Sequence, residues 1–212
     1  MLRRWLAALA LLLACALPAQ AAVTMNFYSQ EFALVARGGN TYFPHAFTLL
    51  SGTTQDGAPV NANLGFTARN IFINVLWEKI TGEMDPTPLP EGYFDSAMKR
   101  FSLTLTEAQY RAVLAVADKW RNAPQPSYDI DEHNCVLFVK DLVQTVGLTV
   151  SNDPKFVRDP IGFLGDVAAR NAATLAQYGS QPVAVAPQAN SATLQERVRQ
   201  LESDARQKAS AN

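Results

Sequence analysis

Apolar and aromatic residues dominate four short stretches in the first half of the chain, and turn-forming residues separate them. β-branched and aromatic residues bounded by Gly, Pro, Asn and Asp are typical of strands. The predicted strands cover 23–36, 41–50, 63–67 and 100–105. The stretch 70–79 fits a strand or a helix, and its β-branched residues favour a strand. The stretch 81–92 contains three prolines and predicts a loop.

The second half of the chain shows helical signals. Thr106-Glu107-Ala108-Gln109 has the pattern of a capping box and precedes apolar residues at helical spacing. Asn134 is a candidate N-cap for a second helix, which Gly147 ends. Asp159-Pro160 is a typical start for a third helix running towards residue 176. The pattern predicts an α+β fold in which helices pack on an antiparallel sheet of four to six strands.

The beginning of the chain resembles a secretory signal peptide. Two arginines precede an apolar run over 5–17, and Ala19-Gln20-Ala21 is a small-x-small cleavage site. The run is shorter than the roughly 20 residues that a membrane-spanning helix needs, and no later stretch reaches that length. We therefore predict that residues 1–21 are removed and that the protein is exported, to the periplasm or beyond. The alternative is a lipoprotein anchored at Cys15, because the residues before that cysteine resemble a lipobox.

The end of the chain differs in composition from the rest. Residues 179–190 are rich in Gly, Ser, Pro, Gln and Ala and predict a linker. Within 191–212, apolar residues at a 4-3-4 spacing predict an amphipathic helix that docks on the domain, frays or self-associates weakly. Those residues are Leu194, Val198, Leu201 and Ala205. The predicted globular domain is therefore 22–178.

Composition narrows the classes of function. With 48% hydrophobic and 17% charged residues, the 212-residue chain can bury a core and is not a disordered protein. Its 18 basic and 19 acidic residues give a net charge of -1. A nucleic-acid-binding protein would need a basic surface, so nucleic acid is not predicted as a partner.

Cysteine and histidine are scarce, with two residues each, and Cys135 is the one cysteine outside the predicted signal peptide. A single thiol in an exported chain pairs with another chain, packs in the core or serves as a reactive group. Cys135 follows the predicted N-cap Asn134, so it lies in the first turn of a helix, where backbone N–H groups and the helix dipole favour a thiolate. His45, on the second predicted strand, is the candidate imidazole for a Cys–His pair.

Four segments together resemble the circularly permuted papain-like cysteine hydrolases, which are relatives of the NlpC cell-wall peptidases and of lecithin–retinol acyltransferase. In that permuted group the strand histidine precedes the cysteine, and Asn-Cys-x-x-Phe opens the helix. The resemblance covers about 27–165 and implies an NlpC-type antiparallel sheet with packed helices, Cys135 as nucleophile and His45 as general base. The four segments are His45-Ala46-Phe47, Leu64-Gly65-Phe66, Tyr128-Asp129-Ile130 and His133-Asn134-Cys135-Val136-Leu137-Phe138-Val139.

The resemblance also implies a third polar residue that orients the imidazole from the next strand. Asn63 is the candidate because it begins the third predicted strand. The alternative interpretation is that Asn63 is a turn residue with no role in the site. Asn61 and Thr67 are the alternatives.

Two further residues beside the thiol are candidates for lining the site. His133 lies two residues before Cys135 and could bind substrate, replace His45 as base or remain a solvated loop residue; Asn134 is adjacent to the thiol. The loop before them is acidic, yet it contains neither a C-x-x-C nor an H-E-x-x-H spacing. No metal and no cofactor are predicted.

These features predict an exported thiol hydrolase, an amidase or peptidase acting on peptidoglycan peptides in the cell envelope. One alternative is an acyltransferase or thioesterase that uses the same Cys–His pair on an acyl lipid. A second alternative is an envelope-binding domain without catalytic activity.

Overall fold

The computed structural model describes residues 22–30, 44–69, 73–87 and 97–178. The predicted signal peptide, Cys15, the end of the first predicted strand, the linker and the C-terminal helix lie outside these residues. None of the helices in the described ranges has the length and apolar character needed to cross a membrane.

The domain is built on a five-stranded antiparallel sheet with the strand order β4-β3-β2-β1-β5. This confirms the predicted α+β class, and a strand lies at each of the four predicted positions. The strands are β1 Val23–Gln30, β2 His45–Thr53, β3 Pro59–Ala68, β4 Gly82–Met84 and β5 Ala97–Leu105.

Two local predictions are wrong. The stretch 70–79 is not a strand, because its described part contains the 3-10 helix Ile73–Leu76. The carbonyl of Asn74 accepts hydrogen bonds from the backbone of Trp77 and Glu78, at 3.1 and 2.8 Å, and this local pairing competes with an extended conformation.

The proline-rich stretch 81–92 is not simply a loop, because it contains β4. The first residue of β4, Gly82, exchanges two hydrogen bonds of 3.0 Å with the carboxamide of Gln125. A Cβ on Gly82 would lie 2.3 Å from the Phe66 ring and 2.5 Å from Ser127 Oγ. The three residues of β4 are therefore held extended by pairing with β3 and by the contact with Gln125. The sequence shows no alternation of polar and apolar residues there.

Within the ranges that the structure describes, four α-helices follow or cover the sheet: α1 Glu107–Arg121, α2 Cys135–Thr145, α3 Pro160–Arg170 and α4 Ala172–Gln177. The capping box at Thr106 and Gln109 is confirmed. Gly147 adopts φ 88° after α2, as expected for the residue that ends a helix. The third predicted helix is interrupted at Asn171, which separates α3 from α4.

The start of α2 is fixed by the side chain of Asn134, which is 2% exposed. Its Oδ1 accepts the backbone N–H of Leu137 at 3.0 Å, which confirms the predicted N-cap. Its Nδ2 donates to the carbonyls of Ile130 and Val157, so the same side chain ties the helix to the loops on either side of it. Asn134 therefore sets the position of the next residue, Cys135.

We expect Asn134→Ala to lower the free energy of unfolding by about 2–4 kcal/mol, because it removes a cap and leaves two carbonyls without a donor. Thr106→Ala, which removes an exposed cap from α1, is the matched control and costs about 1 kcal/mol. Urea denaturation measures both values. Equal losses in the two variants would contradict the bridging role of Asn134.

Candidate active site

His45 is the first residue of β2 and lies opposite Gln30 of β1. Because alternate side chains of a strand point to opposite faces, His45 and Phe47 share one face of the sheet. Their rings are stacked, with centroids 5.8 Å apart and an interplanar angle of 16°. Ala46, on the other face, belongs to the main hydrophobic core. The imidazole is therefore held by a neighbouring ring and is only 4% exposed.

Asp85, which lies at the end of β4, binds the imidazole of β2 across the intervening strand β3. The distance between His45 Nε2 and Asp85 Oδ2 is 2.8 Å, and both side chains are buried. Asp85 follows β4 directly, and its backbone N–H donates to the carbonyl of Gly65 at 2.9 Å. A Cβ on Gly65 would lie 1.9 Å from Asp85 Oδ2, so the carboxylate occupies space that only glycine leaves open.

The second neighbour of the imidazole is Cys135, the first residue of α2, which is 6% exposed. Cys135 is close enough to His45 that its hydrogen bond and its charge both act to raise the pKa of the imidazole. Cys135, His45 and Asp85 thus form a connected series in which the imidazole is the central group.

The surroundings of His45 favour its charged form. Burial alone would lower the pKa of the imidazole, but the charge of Asp85, its hydrogen bond to the ring, and the contribution of Cys135 outweigh burial and raise the pKa to about 10. His45 is therefore an imidazolium at neutral pH. A cation beside Cys135 stabilises the thiolate, which is the nucleophilic form of cysteine.

Tyr128 lies close to these charges. Burial, followed by the negative charges of Cys135, Asp85 and Asp129, raises the pKa of its phenol well above the ordinary value. Its backbone pairs with that of Ile80 through hydrogen bonds of 2.9 and 3.0 Å. The phenol therefore remains neutral near the site and keeps its O–H as a hydrogen-bond donor.

The structure brings together Cys135 and His45, the two main residues predicted from the sequence, but it does not place Asn63 on the imidazole. Asn63 pairs with Leu49 of β2, and both polar atoms of its side chain are buried without a hydrogen-bond partner. The partner of the imidazole is instead Asp85, which the sequence analysis missed. In the sequence, only its position directly after β4 could point to Asp85. That strand has three residues, too few to show an alternation of polar and apolar positions.

His133 occupies different surroundings from His45. Its ring stacks on Trp120 with centroids 3.7 Å apart and an interplanar angle of 16°. Burial lowers the pKa of His133, and the charges that act on it come from Asp141, Lys119 and Asp129 rather than from Cys135. These contacts favour a structural role for His133, packed against α1, over a role as the general base.

The acidic loop before α2 is engaged with the protein itself. Asp131 binds Arg158 through two hydrogen bonds of 2.7 Å, and Glu132 binds Lys79 at 3.0 Å. Asp129 Oδ1 accepts two backbone N–H groups of the same loop at 2.9 Å. Within the described ranges, no three His, Cys, Asp or Glu side chains are grouped as metal ligands would be.

The raised pKa of His45 predicts a pH dependence of stability. Because the folded pKa of about 10 exceeds the ordinary 6.5, protonated His45 stabilises the fold fully below pH 6.5, and this contribution disappears as the pH rises towards 10. We expect Asp85→Asn to reduce the loss of unfolding free energy between pH 6 and pH 10 by an amount on the order of a few kcal/mol. Urea denaturation across this range measures it.

His133→Phe, which keeps a ring on Trp120, is the control: because the pKa of His133 is lowered, this variant changes the pH dependence only around pH 6.5 and below, and it leaves the loss between pH 8 and pH 10 unchanged. An identical slope in the wild type and in Asp85→Asn would show that the carboxylate does not hold the charge of His45.

Comparison with known proteins identifies no relative of this chain. The chain matches no family model, no curated protein and no solved structure. The function is therefore argued from the residues around Cys135.

Proposed function

We propose that this protein is a thiol hydrolase that cleaves amide bonds through Cys135, His45 and Asp85. The observation that carries the proposal is the buried imidazole bound to Asp85 on one side and to Cys135 on the other, with its pKa raised to about 10. A cationic imidazole beside a thiol favours the nucleophilic thiolate and supplies a proton donor for the leaving group.

In the first half of the reaction, the Cys135 thiolate attacks the carbonyl carbon of the substrate and forms a C–S bond. In the first turn of α2, Asn134 binds the N–H of Leu137, so the N–H groups of Cys135 and Val136 are the ones suited to bind the oxyanion. The His45 imidazolium then gives its proton to the nitrogen of the leaving amine as the C–N bond breaks. The products are an acyl-enzyme, a free amine and a neutral imidazole.

In the second half, neutral His45 accepts a proton from water, and the resulting hydroxide attacks the thioester carbon. The C–S bond breaks, the acid is released, and the thiolate–imidazolium pair is restored. Asp85 keeps the ring in one orientation through both halves, because Nε2 remains bound to its carboxylate, which leaves Nδ1 for the proton transfers. Burial of these groups strengthens each charge interaction by excluding water.

The resemblance to the permuted papain-like hydrolases supports this assignment. The order of His45 before Cys135, the Asn-Cys-x-x-Phe start of α2 and the antiparallel sheet all agree with that group. An exported relative of cell-wall peptidases would encounter the stem peptides of peptidoglycan. We therefore propose peptidoglycan peptides as the substrate.

We expect Cys135→Ser and His45→Ala each to lower kcat/KM on purified muropeptides by at least about 100-fold, because each removes a reacting group. Asp85→Asn should give a smaller loss, about 10-fold or more, because it disturbs only the orientation and charge of His45. Circular dichroism checks that each variant folds.

The matched control is His133→Phe, which removes the other imidazole of the chain and should keep nearly full activity. Loss of activity in this variant, with full activity in His45→Ala, would show that the wrong histidine is assigned. Turnover of short-chain acyl esters without turnover of muropeptides would favour an acyltransferase or thioesterase. No Cys135-dependent turnover of either substrate would favour a binding domain.

A separate prediction concerns the thiolate alone. At pH 6–7 we expect iodoacetamide to label Cys135 in the folded protein, and His45→Ala to slow the labelling by about 10-fold or more, because the imidazolium that stabilises the thiolate is gone. Mass spectrometry of the modified peptide measures the rate. Equal rates in the two proteins, or labelling that requires unfolding, would contradict the ion pair.

A further inference from the structure

A second polar side chain lies directly beside the imidazole. Gln30, the last residue of β1, is the cross-strand neighbour of His45 and projects from the same face of the sheet. Side chains at opposite positions of antiparallel strands have Cβ atoms about 4.5–5.5 Å apart. Gln30 is 1% exposed, and its Oε1 is buried and accepts no hydrogen bond.

His45 cannot satisfy this oxygen, because Asp85 binds one of its ring nitrogens and Cys135 interacts with the ring from the other side. A buried acceptor without a donor is costly, because it has lost its hydrogen bonds to water and gained none in return. An acceptor held ready beside the reacting groups is suited to a donor that arrives with the substrate.

We propose that Gln30 binds substrate by accepting one of its amide N–H groups at Oε1. The inference rests on the proposed function and makes it more specific, because it selects peptides over acyl esters. An ester has no N–H to offer, so its binding leaves the Gln30 oxygen unsatisfied. A site built to bind an N–H discriminates strongly against an analogue that lacks it.

The test combines one variant with a set of substrates. Gln30→Met removes the acceptor and keeps a side chain of similar length. The substrates are a stem peptide and analogues in which oxygen replaces one N–H at a time outside the scissile bond. In the wild type we expect one of these replacements to lower kcat/KM about 10- to 100-fold. In Gln30→Met the same replacement has no effect, because the donor has already lost its acceptor.

Asn63→Leu provides the matched control. It removes a second buried carboxamide that has no hydrogen-bond partner on this face of the sheet. Asn63 lies opposite Leu49, which is four residues from His45 along β2. This variant should keep the sensitivity to that one replacement. Loss of the sensitivity in Asn63→Leu as well would overturn the assignment to Gln30.

Stability provides a second readout. Replacing a buried acceptor that has no partner with an apolar side chain should leave the melting temperature of Gln30→Met equal to or above that of the wild type. A marked decrease would indicate that Gln30 already has a structural partner, and it would overturn the inference.

The remaining outcomes separate the two proposals. Cys135-dependent hydrolysis in which Gln30→Met slows the parent peptide and every analogue equally overturns the inference about Gln30 and leaves the hydrolase intact. Absence of Cys135-dependent hydrolysis of every peptide overturns both.

Discussion

The contact between His45 and Asp85 is the interaction on which the rest of the site depends. Both side chains are buried, and a buried charge without a partner costs several kcal/mol. Each group therefore stabilises the charge of the other, and the fold must hold Nε2 and Oδ2 at 2.8 Å. The charge that Asp85 supports on His45 in turn provides Cys135 with a cation.

Two side chains, Gln125 and Asn134, hold the series Asp85–His45–Cys135 in place from its two ends. At the carboxylate end, Gln125 binds both backbone groups of Gly82 and so supports the short strand that ends at Asp85. The missing side chain of Gly65 leaves the space that the carboxylate fills. At the thiol end, Asn134 caps α2 and ties it to the adjoining loops. Neither connection touches the reacting atoms, yet both decide whether those atoms meet.

Sequence patterns anticipated features that depend on local structure and missed those that depend on distant contacts. The capping box at Thr106, the N-cap Asn134 and the turn at Gly147 are local, and all three were predicted correctly. The strand β4 was missed because pairing with β3 and a side chain 43 residues away hold it extended. Sequence patterns do not indicate Asp85 for the same reason, and they favour Asn63 instead. They give no signal for Gln30, because only strand register places it opposite His45.

The ionisation state of His45 tests the central claim most directly, because the carboxylate, the thiol and the proposed chemistry all meet at this ring. Nitrogen-15 NMR of the folded protein distinguishes an imidazolium from either neutral tautomer. The structure predicts that His45 is doubly protonated at pH 7 and loses its proton only near pH 10. A neutral His45 ring at pH 7, titrating near the ordinary 6.5, would contradict the charge arrangement on which the proposed hydrolysis depends.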